Sequence, residues 1–433
     1  MSQTFASLKY VNYRLWFGAN IIASTGKWMQ RVAQDWLVLT VLTVGSGTAL
    51  GITTALQFLP ILLFSPWAGV IVDRVNRRRL LQFTQGMNVV TSLILGALVL
   101  TDVAELWHVY ILAFVTGVLA TIDAPARQTF VSELVPLESL PNAVGLNSAA
   151  FNVARLLGPA TSGFVIAWVG PGWVFMVNAL LFLAPVIAVG LMNVDLLTPA
   201  KQVKREKGQI REGVRYVKNR TDIIVIMIVA GSVSAFGMNF QMTSAVMATE
   251  VFGKGPGEYG ILGSFMAIGA LAGALLAARR QFPRVRLVVV SAFLFGIFDI
   301  ALGLAPNYAT FALLAIPTGL AMLTMITSAN AAIQVSTDPD MRGRVMALYM
   351  MVYLGSNPIG APIIGWIADT WGGRWSLVAG GLVAIVVSVA AAIWAIKTWD
   401  VRIEARLSRR PIRTYGPRER ARDREAAREQ QTD

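Results

Sequence analysis

Apolar residues run along this chain in about twelve long blocks, with approximate limits 13–42, 49–72, 80–101, 107–127, 142–169, 173–193, 223–249, 257–278, 286–304, 308–330, 344–369 and 374–397. Each approaches or exceeds the ~20 residues that a helix needs to cross a ~30 Å hydrocarbon core. A lone segment in lipid must satisfy its own backbone N–H and C=O groups, so the pattern predicts helices throughout. The stretch 194–222 interrupts the series after the sixth block and divides the spans six and six. The first block is unusual. Its segment "GKWMQRVAQDW" (26–36) places Lys27, Arg31 and Asp35 at depths where charge is costly unless it is paired or faces water.

Basic residues alternate between the spans. "DRVNRRR" (73–79) follows span 2, the run from Lys201 to Arg220 follows span 6, "ARRQFPRVR" (278–286) follows span 8 and "MRGR" (341–344) follows span 10. The connections "VGSG" (44–47) and "VGPG" (169–172) hold no Lys or Arg. The positive-inside rule then predicts that both termini are cytoplasmic. Four regions are expected: an N-terminal six-helix bundle over 1–193, a cytoplasmic linker over 194–222, a C-terminal six-helix bundle over 223–397 and a charged cytoplasmic tail over 398–433. The linker should be partly an amphipathic helix on the membrane, and the tail a solvated or disordered charged helix.

Composition agrees with an all-α membrane protein, since 55% of the 433 residues are hydrophobic and 14% charged, with a mean hydropathy of +0.59. The formal net charge of +13 is accounted for by orientation and anionic lipid, so no nucleic acid partner is expected. Zero cysteines rule out thiolate metal sites and a cysteine nucleophile. A single histidine, His108, leaves no His-rich cluster, so neither a metal nor another cofactor is expected. The first dozen residues lack the basic, apolar and small-residue succession of a cleaved leader, and none is expected.

The two halves resemble each other. "VGLNSAAFNVARLLGPATSGFVIAWVG" (144–170) has a counterpart in "VMALYMMVYLGSNPIGAPIIGWIADTWG" (345–372), with Gly and Pro in the second half of each and a closing Trp then Gly. Twelve transmembrane helices in two six-helix pseudo-repeats are a transporter signature, with a site where the units meet. Between spans 2 and 3 the pattern G-x-x-x-D-R-x-x-R-R is formed by Gly69, Asp73, Arg74, Arg77 and Arg78, and it resembles that of the major facilitator superfamily. The segments 123–163 and "WMQRVAQDWLVLT" (28–40) resemble the branch of that superfamily containing the enterobactin exporter and related bacterial drug-efflux proteins. "GPATSG", with Gly158, Pro159 and Gly163, is similar to the helix 5 element of superfamily antiporters, although one glycine of its ending pair is missing.

The resemblance implies a major facilitator fold in a bacterial inner membrane, a monomer whose partners are the bilayer and a small-molecule substrate. It also implies a central cavity lined by helices 1, 4, 7 and 10 with helix 5 at its side, and a charge latch at the 69–78 motif.

Lys27, Arg31 and Asp35 lie four apart, so one face of helix 1 is polar, with Gln30 and Gln34 at its border. Arg155 falls near the same depth in span 5. Lys27, Arg31 and Arg155 are the candidate cavity charges and Asp35 the candidate proton-coupling carboxylate; an Arg31–Asp35 pair with a purely structural role is the competing reading. Gln34, Asn239, Gln241, Asn330 and Tyr353 are candidates for substrate hydrogen bonds, although such residues also join helices. Asp299 reads as structural. No G-x-x-x-x-G-K-[ST] phosphate loop occurs, so a gradient, here the proton gradient, must supply the energy. The expected function is proton antiport exporting an amphipathic drug or siderophore-like molecule, with a nutrient importer or a non-transporting membrane sensor as alternatives and no enzyme chemistry. Three cavity cations against one carboxylate favour anionic or neutral ligands over cationic drugs.

Overall fold

The computed structural model describes residues 3–197, 209–278, 285–399, 402–405 and 412–415. Helices α1 (Val11–Trp36), α2 (Gly47–Arg74), α3 (Arg77–Leu100), α4 (Leu106–Leu134), α5 (Leu140–Val169) and α6 (Pro171–Leu191) come first. The short helix α7 (Gln209–Lys218) precedes α8 (Thr221–Phe236), α9 (Phe240–Val246), α10 (Pro256–Ala278) and α11 (Val285–Gly303). Helices α12 (Tyr308–Ser336), α13 (Arg342–Gly355), α14 (Asn357–Trp371) and α15 (Gly373–Trp399) complete the helical part. Within the tail, β1 (Arg402–Ala405) pairs antiparallel with β2 (Ile412–Tyr415), where a solvated or disordered charged helix was expected.

Among the described residues ten helices are long and apolar enough to cross a membrane, with Thr221–Val251 and Arg342–Trp371 each counted as one. The remaining long helices are α1 and α5, the two that carry Lys27, Arg31, Asp35 and Arg155. Their polar residues lower the mean hydropathy without shortening the helix.

Two apolar blocks that read as continuous are broken. Between α8 and α9, the Gly237 and Met238 N–H groups both donate to the Val233 carbonyl and the helix restarts at Phe240. Between α13 and α14, the Ser356 hydroxyl donates to the Gly231 carbonyl of α8 at 2.9 Å. Irregular backbone at such depth persists only where protein or a cavity satisfies it, and Ser356 supplies part of that.

Helices α1 to α6 pack mainly on one another, and α8 to α15 do the same. The two sets meet where α2 crosses α14 and α5 crosses α10. Small residues set both crossings, as expected where no hydrophobic effect drives helices together in lipid. A Cβ added to Gly51 would stand 2.5 Å from the Ala361 carbonyl oxygen, and one on Gly365 would overlap the Gly47 carbonyl. On the other crossing, a Cβ on Gly260 would overlap the Pro159 carbonyl and one on Gly163 the Pro256 carbonyl.

Candidate functional site

Spacing by four on α1 puts Lys27, Arg31 and Asp35 along one face, and burial along that face increases from Lys27 to Asp35. Lys27 is exposed, Arg31 half-buried and Asp35 only 4% exposed. The Asp35 carboxylate accepts a hydrogen bond from the Tyr259 hydroxyl of α10 at 3.0 Å. Gln241 of α9 donates its amide to the same hydroxyl at 3.2 Å, and Trp36 stacks on the Tyr259 ring with centroids 6.3 Å apart. A carboxylate of the first helix set is thereby tied to the second. Tyr259 was absent from the sequence candidates, because a tyrosine inside an apolar block carries no charge or spacing signal.

Beside this chain lies a small cavity of about 100 Å³ whose lining includes Trp28, Arg31, Arg155, Phe240, Gln241 and Met322. The structure thus brings together three of the sequence candidates, Arg31, Arg155 and Gln241. Both guanidinium groups sit over aromatic rings, Arg31 at 5.3 Å from the Phe58 centroid and Arg155 at 5.8 Å from that of Trp28. Among the described residues no Asp or Glu lines the cavity. Lys27 lies outside the lining, within electrostatic reach of Asp123, Arg127 and Arg31. Gln34 is buried in α1, and neither it nor Asn239, Asn330 or Tyr353 lines the cavity.

Asn239 and Tyr353 make other contacts. The Asn239 amide donates to the Ala235 carbonyl at 2.8 Å beside the α8–α9 break, while its Oδ1 is buried without a partner, as is Asn330 Oδ1 in α12. The Tyr353 hydroxyl meets the Met238 sulfur at 3.1 Å, and its ring stacks on Tyr349 at 5.8 Å. Asp299 is buried in α11 and, among the described residues, has no hydrogen bond or ion pair.

A second buried carboxylate, Asp123 of α4, was passed over by the sequence reading. It accepts from Thr84 Oγ1 (3.0 Å) and Gln85 Nε2 (2.7 Å) of α3 and pairs with Arg127 one turn later, Nη2 to Oδ2 at 3.0 Å. Arg127 also donates to Asn20 of α1 and lies 5.2 Å from the Trp16 ring centroid. The carboxylate and its guanidinium partner are satisfied within the first helix set, which is the condition for a stable buried charge network.

The two remaining motifs occupy seams. In the helix 5 element, a Cβ on Gly158 would stand 2.6 Å from Trp28 Cβ, so Gly158 lets α5 lie against α1. Ser162 reinforces that contact by donating to the Met29 carbonyl at 2.8 Å. Pro159 and Gly163 face α10, where Ser264 donates to the Leu156 carbonyl at 2.6 Å.

In the 69–78 motif, Gly69 and Asp73 are half-buried, Arg74 is exposed and Asp73 is engaged in an interaction. Arg77 pairs with Glu133 at the end of α4. Arg78 donates to the Val189 and Gly190 carbonyls at 2.8 and 2.9 Å, neutralising the C-terminal end of α6. At the opposite end of α2, Asp369 of α14 accepts from the Gly47 N–H (2.5 Å), the Thr48 N–H (2.9 Å) and the Ser46 hydroxyl (3.2 Å). That carboxylate caps the first turn of a helix from the other set, as the helix dipole favours.

Known proteins resemble this chain in sequence and in architecture. A family model described as transmembrane secretion effector matches residues 2–413. The chain is 25% identical to the staphyloferrin A transporter of Staphylococcus aureus over 363 residues, covering 83% of this chain and 90% of that protein. It is 23% identical to macrolide efflux protein A of Streptococcus pyogenes over 404 residues, covering 90% and 97%. Among solved structures, a bacterial homologue of the human lysosomal transporter Spinster superimposes with a TM-score of 0.69 at 16% identity, covering 90% of this chain and 98% of the other. The chain belongs to the transmembrane secretion effector family, a group of efflux-type transporters within the major facilitator superfamily.

Proposed function

We propose that this protein exports an amphipathic small molecule in exchange for protons, by alternating access between two six-helix bundles that together hold twelve transmembrane helices. The observation that carries the reading is the chain Asp35–Tyr259–Gln241, which ties a buried carboxylate of one bundle to the other beside the cavity. When the bundles separate at that point, the carboxylate exchanges a phenol donor for water. A proton affinity that differs between two states is what coupling requires. Relatives named for a siderophore and for macrolides support export of small molecules.

The arginine-rich 73–79 end of α2 is assigned to the cytoplasm by its charge, with both termini on that side of a bacterial inner membrane. The Gly47 end of α2 then faces outward. The close approaches of α2 to α14 and of α5 to α10 shut the outer face, so this is an inward-facing state of a monomer. In that state Asp73 and its arginines form the latch that is released, and Asp369 forms part of the one that is closed.

The test uses membrane vesicles of both orientations under an imposed pH gradient. Everted vesicles carrying the wild-type protein should accumulate substrate when their lumen is acid, and Asp35→Asn should abolish uphill accumulation while substrate still binds. Uphill accumulation by Asp35→Asn at the wild-type proton dependence would remove Asp35 from coupling. Uptake confined to right-side-out vesicles would make the protein an importer, and absence of flux in both would make it a sensor.

A further inference from the structure

Arg31 and Arg155 differ from the protein's other inward-directed arginines. Arg77, Arg127 and Arg220 each hold a carboxylate, and Arg78 and Arg374 each hold backbone carbonyls at helix ends. Arg31 and Arg155 are half-buried in the cavity wall and, among the described residues, make no hydrogen bond or ion pair. Asp35 is four residues from Arg31 but directs its hydrogen bond to Tyr259. Arg31 has Asp35 within electrostatic reach, but neither guanidinium is hydrogen-bonded to an anion, and the two lie within electrostatic reach of each other, an arrangement that is expensive unless the cavity supplies an anion.

Their setting orients them for that task. Each is backed by an aromatic ring, Phe58 for Arg31 and Trp28 for Arg155. A neighbouring aromatic ring accepts none of the guanidinium's hydrogen bonds in the way a carboxylate does, and the N–H fork matches the paired oxygens of a carboxylate, sulfonate or phosphate. The rest of the wall, with Trp28, Phe240 and Met322 around the one amide of Gln241, suits an apolar or aromatic body.

We infer that Arg31 and Arg155 form a two-guanidinium clamp for an amphipathic organic anion, whose acidic groups replace the missing carboxylates while its apolar part lies against Trp28, Phe240 and Met322. This rests on the cavity being the transport site proposed above and specifies the charge of what it carries. A lipophilic cation, the other common class of exported drug, meets two like charges and no acid in this lining.

The experiment measures binding to the purified full-length protein in lipid nanodiscs by fluorescence anisotropy, with carboxyfluorescein as an aromatic polyanion and ethidium as an aromatic cation. Saturable carboxyfluorescein binding is expected, weakened at higher salt and competed by benzene-1,3-dicarboxylate. Arg31→Gln and Arg155→Gln should each reduce affinity tenfold or more, and the matching Lys variants should restore part of it. The salt dependence and the competition use the wild-type protein, so they stand even where a variant does not fold.

Absence of saturable carboxyfluorescein binding, ethidium binding of equal or higher affinity, or unchanged anion binding in the folded double Gln variant would each overturn the clamp. Proton-driven flux of ethidium in everted vesicles would sink this inference and leave the export reading intact. Anion binding without proton-dependent flux would do the reverse.

Discussion

Asp35 and Asp123 are both buried carboxylates of the first helix set, and their partners set them apart. Asp123 is saturated by Thr84, Gln85 and Arg127, all within one bundle, so it has no reason to change between states. Asp35 has one side-chain donor, which comes from the other set. Asp123→Ala leaves Arg127 without its carboxylate, and breaking such a pair costs about 3–5 kcal/mol. The expected result is a lower thermal unfolding midpoint for the full-length protein in detergent, with the proton dependence of flux retained in the protein that survives. Unaltered melting would show that the network contributes nothing to stability.

Residue by residue, the sequence made the cavity cations legible because charge in an apolar block is conspicuous, and Arg31, Arg155 and Gln241 do converge on one cavity. It did not make Tyr259 legible, since a hydroxyl at the end of an aromatic ring alters neither hydropathy nor charge. Asp123 was hidden for a different reason. The fourth block was read as ending at residue 127, which put Asp123 at the membrane edge, whereas α4 continues to Leu134.

At the scale of elements, periodicity located the long helices but not the breaks after Phe236 and Gly355, because the segments stay apolar across them. Which N-terminus is capped by which distant carboxylate was equally invisible, since Ser46 and Asp369 are 323 residues apart. That cap has a measurable weight. A carboxylate at a helix N-terminus contributes roughly 0.3–1 kcal/mol when exposed and up to ~2 kcal/mol in partly buried geometry.

Asp369→Asn keeps the shape and removes the charge, so the equilibrium between closed and open forms of this face should move several-fold toward the open one. Spin labels at Val44 and Trp371, both exposed beside the cap, should report a larger population of long distances in the variant. An unchanged distance distribution would show that the α2–α14 crossing holds without the charge.

For the whole molecule, the two helix sets meet across α2–α14 and α5–α10 with backbone against backbone at Gly51, Gly365, Gly163 and Gly260. Contact of this kind orders no rotamers, so under the proposed alternating access closing the face would cost little side-chain entropy and leave the two arrangements near in free energy. It also leaves no spare volume, since a methyl group on Gly365 has nowhere to go while Gly47 stays in place.

Gly365→Ala should accordingly insert into the membrane normally, lose transport and show raised thiol labelling of a cysteine introduced at Ala368, which is buried beside Gly47 in the closed seam, and normal transport by that variant would mean that the seam yields more easily than its geometry implies. The single methyl acts as a wedge, adding a penalty to one conformer and none to the other. A substitution too small to alter expression or hydropathy thus becomes a means of holding the transporter in its opposite state for structure determination.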